Sequence, residues 1–229
     1  PWRYIRLHIT STTGDFGSGC QIYVFRQPNT PWYIPGDINQ DGKIDDNDLT
    51  SYMNYTGLRE GDGDFAGYIS KGDINSNGLI DAYDISAVAT ELEGGIYAEP
   101  GEKLQGDITI QADKAQYSAG ETVTLTVTGK DMQSVNALSM CLPYDATELE
   151  YVGIEPTAVK DMYNMTNDRL HTNGQKALYP TFVNLGMQNL LTGDAELMKI
   201  MFKARKSMKW NAKVTDRMLV DRHMKYITH

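Results

Sequence analysis

Apolar residues alternate with polar ones along much of the C-terminal half of the chain. Between residues 122 and 128 they stand at every second position, separated by threonines, and segment 197–204 has a similar alternation. A period of two is typical of strands with one buried face. Five further segments fit short strands: 108–112, 136–142, 149–154, 178–184 and 214–220. Seven or more strands without a long helical pattern predict an all-β sandwich over residues 106–229.

A helical period follows each copy of an internal repeat within residues 36–94. The sequence GDINQDGKID at 36–45 returns as GDINSNGLID at 72–81. After the second copy, apolar residues take the i, i+3, i+4, i+7 spacing of an amphipathic helix: Ile85, Val88, Ala89 and Leu92. After the first copy, one helix face is predicted to hold Leu49, Tyr52, Met53 and Leu58. Glycines mark the expected helix ends, at Gly57 and Gly94.

The N-terminal residues 1–28 predict two strands, at 3–10 and 21–25, each with apolar residues on one face. Two strands cannot build an independent core. The chain also opens within a strand-like stretch, so we expect a fragment of a longer polypeptide that begins with the last strands of a truncated β domain. Prolines then mark a boundary or linker: Pro28, Pro31 and Pro35.

Each repeat contains a 12-residue loop, at 37–48 and 73–84, with oxygen donors at the spacing that Ca²⁺ requires. The predicted ligands of the first loop are Asp37, Asn39, Asp41, the carbonyl of Lys43, Asp45 and Asp48. Those of the second are Asp73, Asn75, Asn77, the carbonyl of Leu79, Asp81 and Asp84. Gly42 and Gly78 stand where the loop must turn sharply. One such cluster could be a surface turn, but two in the same phase predict two structural calcium ions, whose removal should unfold residues 36–94. The GDGD sequence at 61–64 lacks this ligand spacing and is interpreted as a turn.

The two loops differ in charge. Both end in Asp where an EF-hand has Glu, but the first loop supplies four carboxylates and the second three. We therefore expect tighter calcium binding at the first site. Apolar residues at position eight, Ile44 and Ile80, are expected where two such loops pair back to back.

The net charge of −9 belongs mainly to these loops, which together carry −7, so it does not indicate a basic partner. No basic stripe with interleaved aromatics indicates nucleic acid binding, and no apolar run reaches the roughly 20 residues of a membrane span. The four histidines lack metal-binding spacing, and no nucleophile motif or phosphate loop appears. Cys20 and Cys141 are compatible with a disulfide or with two buried free thiols.

The duplicated loop, each copy followed by one helix and ending in Asp, closely resembles a dockerin over residues 36–94. The resemblance implies a bacterial, extracellular calcium module that attaches to cohesin domains through its helices. In that family, loop positions 10 and 11 contribute to partner choice. They are Asp46 and Asn47 in the first repeat but Ala82 and Tyr83 in the second, so we expect one docking mode instead of two equivalent ones.

Residues 106–229 look like a cohesin-like jelly roll, best in segments 108–127 and 197–204. Segments 3–10 and 21–25 are similar to the last strands of a discoidin-like carbohydrate-binding domain. These resemblances imply a multidomain, non-catalytic docking or scaffolding region of a secreted, periplasmic or surface glycoside hydrolase of a bacterium, active on polysaccharides. The docking partner would be a cohesin-type domain in trans or the chain's own β-sandwich in cis.

The alternative function is a carbohydrate-binding module in which exposed aromatics stack on sugars, with Trp32, Tyr33 and Tyr179 as candidates. Enzymatic activity in this region is the weakest hypothesis, because calcium binding already accounts for nearly every clustered Asp. A catalytic carboxylate pair depends on spatial separation, which the sequence does not give.

Overall fold

The computed structural model describes residues 33–94, 103–185, 190–211 and 213–229. Residues 33–229 form one compact unit. The two strands and the truncated domain predicted within residues 1–28 lie outside the described residues.

The N-terminal part of this unit is helical, as predicted. It contains α1 (Asp46–Tyr52), a 3₁₀ helix (Ile69–Gly72) and α2 (Ala82–Leu92). Helix α2 ends just before Gly94, which has the left-handed φ of +93° typical of a helix terminus. Helix α1 is shorter than predicted: Met53 caps it and is 43% exposed, and Leu58 reaches the core from a turn beyond the helix. The predicted helix face is therefore wrong at these two positions.

The two position-eight isoleucines, Ile44 and Ile80, belong to one apolar cluster, but the main chain of Ile80 does not bond to that of Ile44. The main chain of Ile80 pairs instead with the segment after α1, since its N–H donates to the carbonyl of Leu58 (2.9 Å) and its carbonyl accepts from Gly57 (2.8 Å). The second loop is thus fastened to the chain that leaves α1.

In the described residues, thirteen strands follow the helical part, and they overlap every strand segment predicted beyond residue 105. In chain order they are β1 (Gln105–Ala112), β2 (Gln116–Tyr117), β3 (Thr122–Val135), β4 (Ala137–Tyr144), β5 (Leu149–Pro156), β6 (Tyr163–Asn164), β7 (Asn167–Leu170), β8 (Lys176–Tyr179), β9 (Thr181–Val183), β10 (Leu191–Ala204), β11 (Met208–Lys209), β12 (Thr215–Val220) and β13 (Tyr226–Thr228). The predicted strand 178–184 divides into β8 and β9 at Pro180, which has no N–H to donate to a ladder.

These strands build two main sheets. The first has the order β1-β3-β10-β5 and the second β13-β12-β4-β8-β7, with β9 also pairing to β4 and β6 pairing to β9. Between them lies a core of fully buried side chains: Val123, Leu125, Val127, Leu138, Met140, Leu142, Ile200 and Phe202. The alternation in 122–128 and 197–204 therefore marks the faces turned toward this core, and the predicted all-β sandwich is confirmed.

Strand β4 departs from that alternation, because its first six residues are all buried. The even-numbered residues, such as Leu138 and Met140, face the sandwich core. The odd-numbered ones, such as Ala137 and Cys141, belong to other clusters on the outer face of the second sheet. Both faces of β4 are covered.

Candidate docking face and calcium loops

The first loop is shaped by side-chain oxygens that accept its own main-chain N–H groups. Asp37 accepts from Asp41 and Gly42 (3.0 Å each), and Asn39 Oδ1 also accepts from Asp41 (2.9 Å). Asp41 Oδ1 accepts from the N–H of Lys43 (3.0 Å). At the loop end, Asp48 accepts from Asn39 (3.3 Å) and Asp45 (3.0 Å), while Asp45 caps α1 through Asn47 (2.8 Å). Asp48, the last residue of the loop, is therefore also the N3 residue of the capping box of α1.

The second loop repeats this pattern. Asp73 accepts from Asn77 (3.0 Å) and Gly78 (2.8 Å), and Asp84 accepts from Ile74 (2.7 Å) and Asp81 (2.9 Å). The remaining loop bonds also correspond: Asn75 Oδ1 accepts from Asn77, Asn77 Oδ1 from Leu79, and Asp81 Oδ1 from Tyr83. The loops differ in two bonds. Asp84 accepts from position two of its loop (Ile74), whereas Asp48 accepts from position three. In addition, Asn77 Nδ2 at position five donates to Asp81 Oδ2 at position nine (2.9 Å). The sequence repeat is thus a structural repeat.

Five carboxylates of these loops are buried: Asp37, Asp48, Asp73, Asp81 and Asp84. None of the ion pairs among the described residues involves any of them. Burial raises the pKa of Asp48 and of Asp84, and it raises that of Asp81 to about 6. Buried carboxylates without a cationic side chain are costly, and a divalent cation would remove that cost.

The donor chemistry of both loops fits Ca²⁺, which prefers carboxylate, amide and carbonyl oxygens. Within the described ranges, however, no three His, Cys, Asp or Glu side chains converge closely enough to hold a metal by themselves. The carboxylates turn instead toward loop N–H groups. The predicted donor sets differ from such a cluster because each includes an asparagine and a main-chain carbonyl.

Helix α2 lies on the outer face of the second sheet. Its buried residues Ala82, Ile85, Val88 and Ala89 share one apolar cluster with residues of the sandwich: Ala137, Met165, Val183, Met218 and Val220. The helix contacts β4, β9 and β12. The helical module and the β-sandwich are therefore joined by a common core.

The partner-choice positions of the two repeats lie in opposite environments. Ala82 is fully buried, and its N–H donates to Ser139 Oγ of β4 (3.3 Å). Tyr83 packs edge-on against Tyr226 of β13, with ring centroids 5.1 Å apart. In the first repeat, Asp46 and Asn47 are exposed. The second repeat thus faces the chain's own sandwich.

Tyr179 of β8 is the centre of a second contact. Leu79 of the second calcium loop packs against a small cluster of Tyr179, Cys141 and Ala177. Gly57, with a φ of +79°, brings its main chain against the Tyr179 ring so closely that a Cβ would overlap it. Cys141 is a buried free thiol, and Cys20 lies outside the described residues. Tyr179 is 3% exposed, so this candidate for sugar stacking is not available to a sugar in this arrangement.

The segment between the repeats makes the third contact. Asp62 Oδ2 lies 2.6 Å from His171 Nδ1, and Asp62 Oδ1 accepts from the N–H of Thr172 (3.0 Å). The N–H of Gly63 donates to Thr172 Oγ1 (2.8 Å), and Arg59 donates to Gln175. The GDGD segment is the turn that was predicted, but it also supplies a buried carboxylate to the sandwich.

Main-chain carbonyls at the end of α1 make the fourth contact. Arg169 donates to the carbonyls of Thr56 (3.2 Å) and Asn54 (2.6 Å), and Asn167 Nδ2 donates to that of Met53 (2.9 Å). Met53 is the C-cap of α1 and the other two carbonyls lie in the turn beyond it, so β7 pairs the main chain where the helix has ended. The short α1 is thus part of the contact.

Sequence reasoning missed most of the contact residues on the sandwich and several on the module, among them Gly57, Arg59 and Asp62. A signal existed in β4, whose outward positions are small and uncharged: Ala137, Ser139 and Cys141. Such a strand face is typical of one that another element covers. No comparable signal marks His171 or Asp62, because they are 109 residues apart in the chain.

Comparison with protein families assigns both modules. The dockerin type I domain matches residues 35–93, and the cohesin domain matches residues 108–223, slightly more than half of the 229 residues. No curated protein matches the chain. Dockerin and cohesin domains are non-catalytic modules for protein docking, and dockerin type I domains bind calcium.

Solved structures that resemble the chain are cohesins. A type II cohesin domain from the cellulosome of Acetivibrio cellulolyticus is 16% identical, with 54% of this chain and 88% of that chain covered and a TM-score of 0.42. A type I cohesin–dockerin complex from Clostridium thermocellum is 15% identical, with coverages of 57% and 92% and a TM-score of 0.41. The cohesin module of a family 33 glycoside hydrolase from Clostridium perfringens is 12% identical, with coverages of 54% and 89% and a TM-score of 0.42. By the family match over residues 108–223, the chain belongs to the cohesin family, and it carries a dockerin type I domain ahead of its cohesin domain.

Proposed function

We propose that the dockerin domain of this chain docks in cis on its own cohesin domain and that two structural calcium ions hold the dockerin in its docking shape. The observation that carries the proposal is the apolar cluster shared by α2 and the second sheet. A core that contains Ile85 and Val88 from one domain and Val183 and Val220 from the other stabilises the closed arrangement through the area it removes from water.

Calcium is assigned to the twelve loop residues predicted from the sequence: Asp37, Asn39, Asp41, Lys43, Asp45, Asp48, Asp73, Asn75, Asn77, Leu79, Asp81 and Asp84. The second loop couples the ion to docking, because Leu79 is a ligand through its carbonyl and packs its side chain on Cys141 and Tyr179. The ion neutralises buried carboxylates and sets the shape of that loop. Its role in this proposal is structural.

The wider setting we propose is a secreted or surface-bound bacterial protein that degrades polysaccharides, with a glycoside hydrolase as the catalytic part. The pairing of dockerin and cohesin domains, which are typical of extracellular and cell-surface assemblies, supports this setting. No helix in the described part of the chain is long and apolar enough to cross a membrane.

Cys141 provides a test in the intact chain, because the dockerin covers it. In a Cys20→Ser background it is the only thiol, and its rate of reaction with a disulfide reagent reports opening of the dockerin from the sandwich. We expect slow labelling with calcium and much faster labelling after chelation, while circular dichroism shows that the sandwich remains folded. Labelling that is as fast with calcium as without it would contradict docking in cis. Slow labelling that speeds up on dilution would favour docking between chains.

A further inference from the structure

Asp62 and His171 form a buried charged contact between the two domains. The side chain of His171 is fully buried and that of Asp62 is 7% exposed, and 2.6 Å separates Nδ1 from Oδ2. They lie apart from the apolar cluster of α2 and from loop positions 10 and 11. The contact joins the segment between the dockerin repeats to the turn that connects β7 and β8.

The hydrogen bonds define the state of the imidazole. The ionised carboxylate of Asp62 can only accept, so His171 Nδ1–H donates to it. Burial lowers the pKa of His171 and favours the neutral imidazole, whose Nε2 then accepts from the Tyr179 hydroxyl (2.8 Å). This tautomer is assigned from the hydrogen-bond partners. Burial would by itself raise the pKa of Asp62, but hydrogen bonds from His171 and from the Thr172 N–H outweigh it and lower that pKa. The pocket therefore presents two donors, His171 Nδ1–H and the Thr172 N–H, to one carboxylate.

Such a pocket discriminates among dockerins. A docked partner without an acceptor at this place would bury both donors unpaired, and each unpaired buried group costs about 5- to 150-fold in affinity, the equivalent of about 1–3 kcal/mol. A lysine or arginine there would bring a positive charge against the same donors. Specificity is a difference of affinities, so a penalty against the wrong partner adds to the contacts made with the right one.

We propose that His171 and Thr172 form a selectivity pocket for a carboxylate carried between dockerin repeats, and that Asp62 fills it. The partner that fits this sandwich is thus a dockerin-type domain with an acidic residue in the segment connecting its two loops. The proposal rests on the docking proposed above and adds a determinant outside the helices.

A double-mutant cycle tests the pocket in the full chain with calcium, in the Cys20→Ser background. Asp62→Leu and His171→Leu should each raise the rate of Cys141 labelling at least about tenfold, because each leaves a buried polar partner unpaired. The double variant should be faster than wild type by clearly less than the product of the two single effects, since replacing both partners by apolar groups removes the unpaired groups. Asp64→Leu is the matched control, as Asp64 is exposed in the same segment.

Single effects that multiply independently would overturn the proposal, as would equal labelling rates for Asp62→Leu and Asp64→Leu. Circular dichroism and calcium titration of each variant establish that the dockerin is folded. If a leucine variant does not fold, Asp62→Asn takes its place, because the amide keeps the side-chain shape and one oxygen that accepts from the Thr172 N–H. Asp62→Asn should raise the rate of Cys141 labelling less than tenfold, but measurably above the rate of Asp64→Asn. Failure of the cis docking itself has a different signature: Cys141 would be labelled rapidly in every protein, wild type included.

Discussion

Gly57 offers the sharpest test of how closely the dockerin approaches the sandwich. Gly57 has a left-handed φ of +79°, and Gly61 also has a left-handed φ, of +96°. A Cβ at position 57 would overlap the Tyr179 ring, and even the third-nearest ring atom would be 2.7 Å away, whereas a Cβ at position 61 has no neighbour within 4 Å. Substitution of either glycine by alanine therefore strains the backbone, but only the substitution of Gly57 also adds a clash across the interface.

The expected magnitudes follow from this difference. Alanine at either position costs about 1–2 kcal/mol of left-handed strain, but that strain is the same in the docked and open states and cancels from docking. The clash at position 57 exists only when docked, and overpacking of this kind costs about 1–3 kcal/mol. In the Cys141 labelling assay, Gly57→Ala should therefore react about 5- to 150-fold faster than wild type. Gly61→Ala should react at nearly the wild-type rate.

A third variant makes the reasoning refutable. Tyr179→Leu removes the ring that the added methyl meets, so Gly57→Ala should have a smaller effect in that background than in wild type. Equal acceleration of Cys141 labelling by Gly57→Ala and Gly61→Ala would refute the clash argument. An effect of Gly57→Ala that is as large in the Tyr179→Leu background as in wild type would also refute it.

Three further predictions concern pH, the unequal repeats and the unequal calcium sites. Burial lowers the pKa of His171 in the docked state, so docking should be strongest above the ordinary histidine pKa of about 6.5 and should weaken as the pH falls below it. The measurement is the rate of Cys141 labelling with a thiol reagent that also reacts in acid. Docking that strengthens on acidification would contradict this prediction. Ala82→Lys should open the interface because it places a charge in a fully buried position, whereas Asp46→Lys at the matching exposed position should leave Cys141 protected. Calorimetry should find weaker calcium binding at the intact second site left by Asp37→Ala than at the intact first site left by Asp73→Ala, because the first loop has four carboxylates and the second three. The reverse order would show that the sandwich contact outweighs ligand charge.

The parts of the fold that sequence could predict are those set by local spacing. Alternation in 122–128 located a strand because side chains in a strand point to opposite faces. The repeated loops were found because metal ligands must stand at fixed intervals. Helix α1 was predicted too long because Met53 and Leu58 continue an apolar pattern that the chain uses in a turn. Local pattern does not distinguish an apolar helix residue from an apolar turn residue.

The docking face depends on contacts between distant segments, which local spacing does not encode. Asp62 looks like part of an ordinary turn in the sequence, and its buried partner His171 is separated from it by the whole second repeat and about the first half of the sandwich. The family resemblance predicts Ala82 and Tyr83 as partner-contacting positions, and in the structure they contact Ser139 and Tyr226 of the chain's own β-sandwich. The sequence leaves cis and trans docking open, and the proposal of docking in cis rests on these contacts.

The short connection between the domains has a kinetic consequence. Fourteen residues, 94–107, separate the dockerin match from the cohesin match. A short tether gives an attached partner an effective concentration in the millimolar range. A dockerin from another protein, even one with equal intrinsic affinity, would need a comparable free concentration to occupy half of the sandwiches. At lower concentrations, exchange with outside partners waits for the tethered domain to leave, so the rate of opening sets how quickly this chain can join a larger assembly.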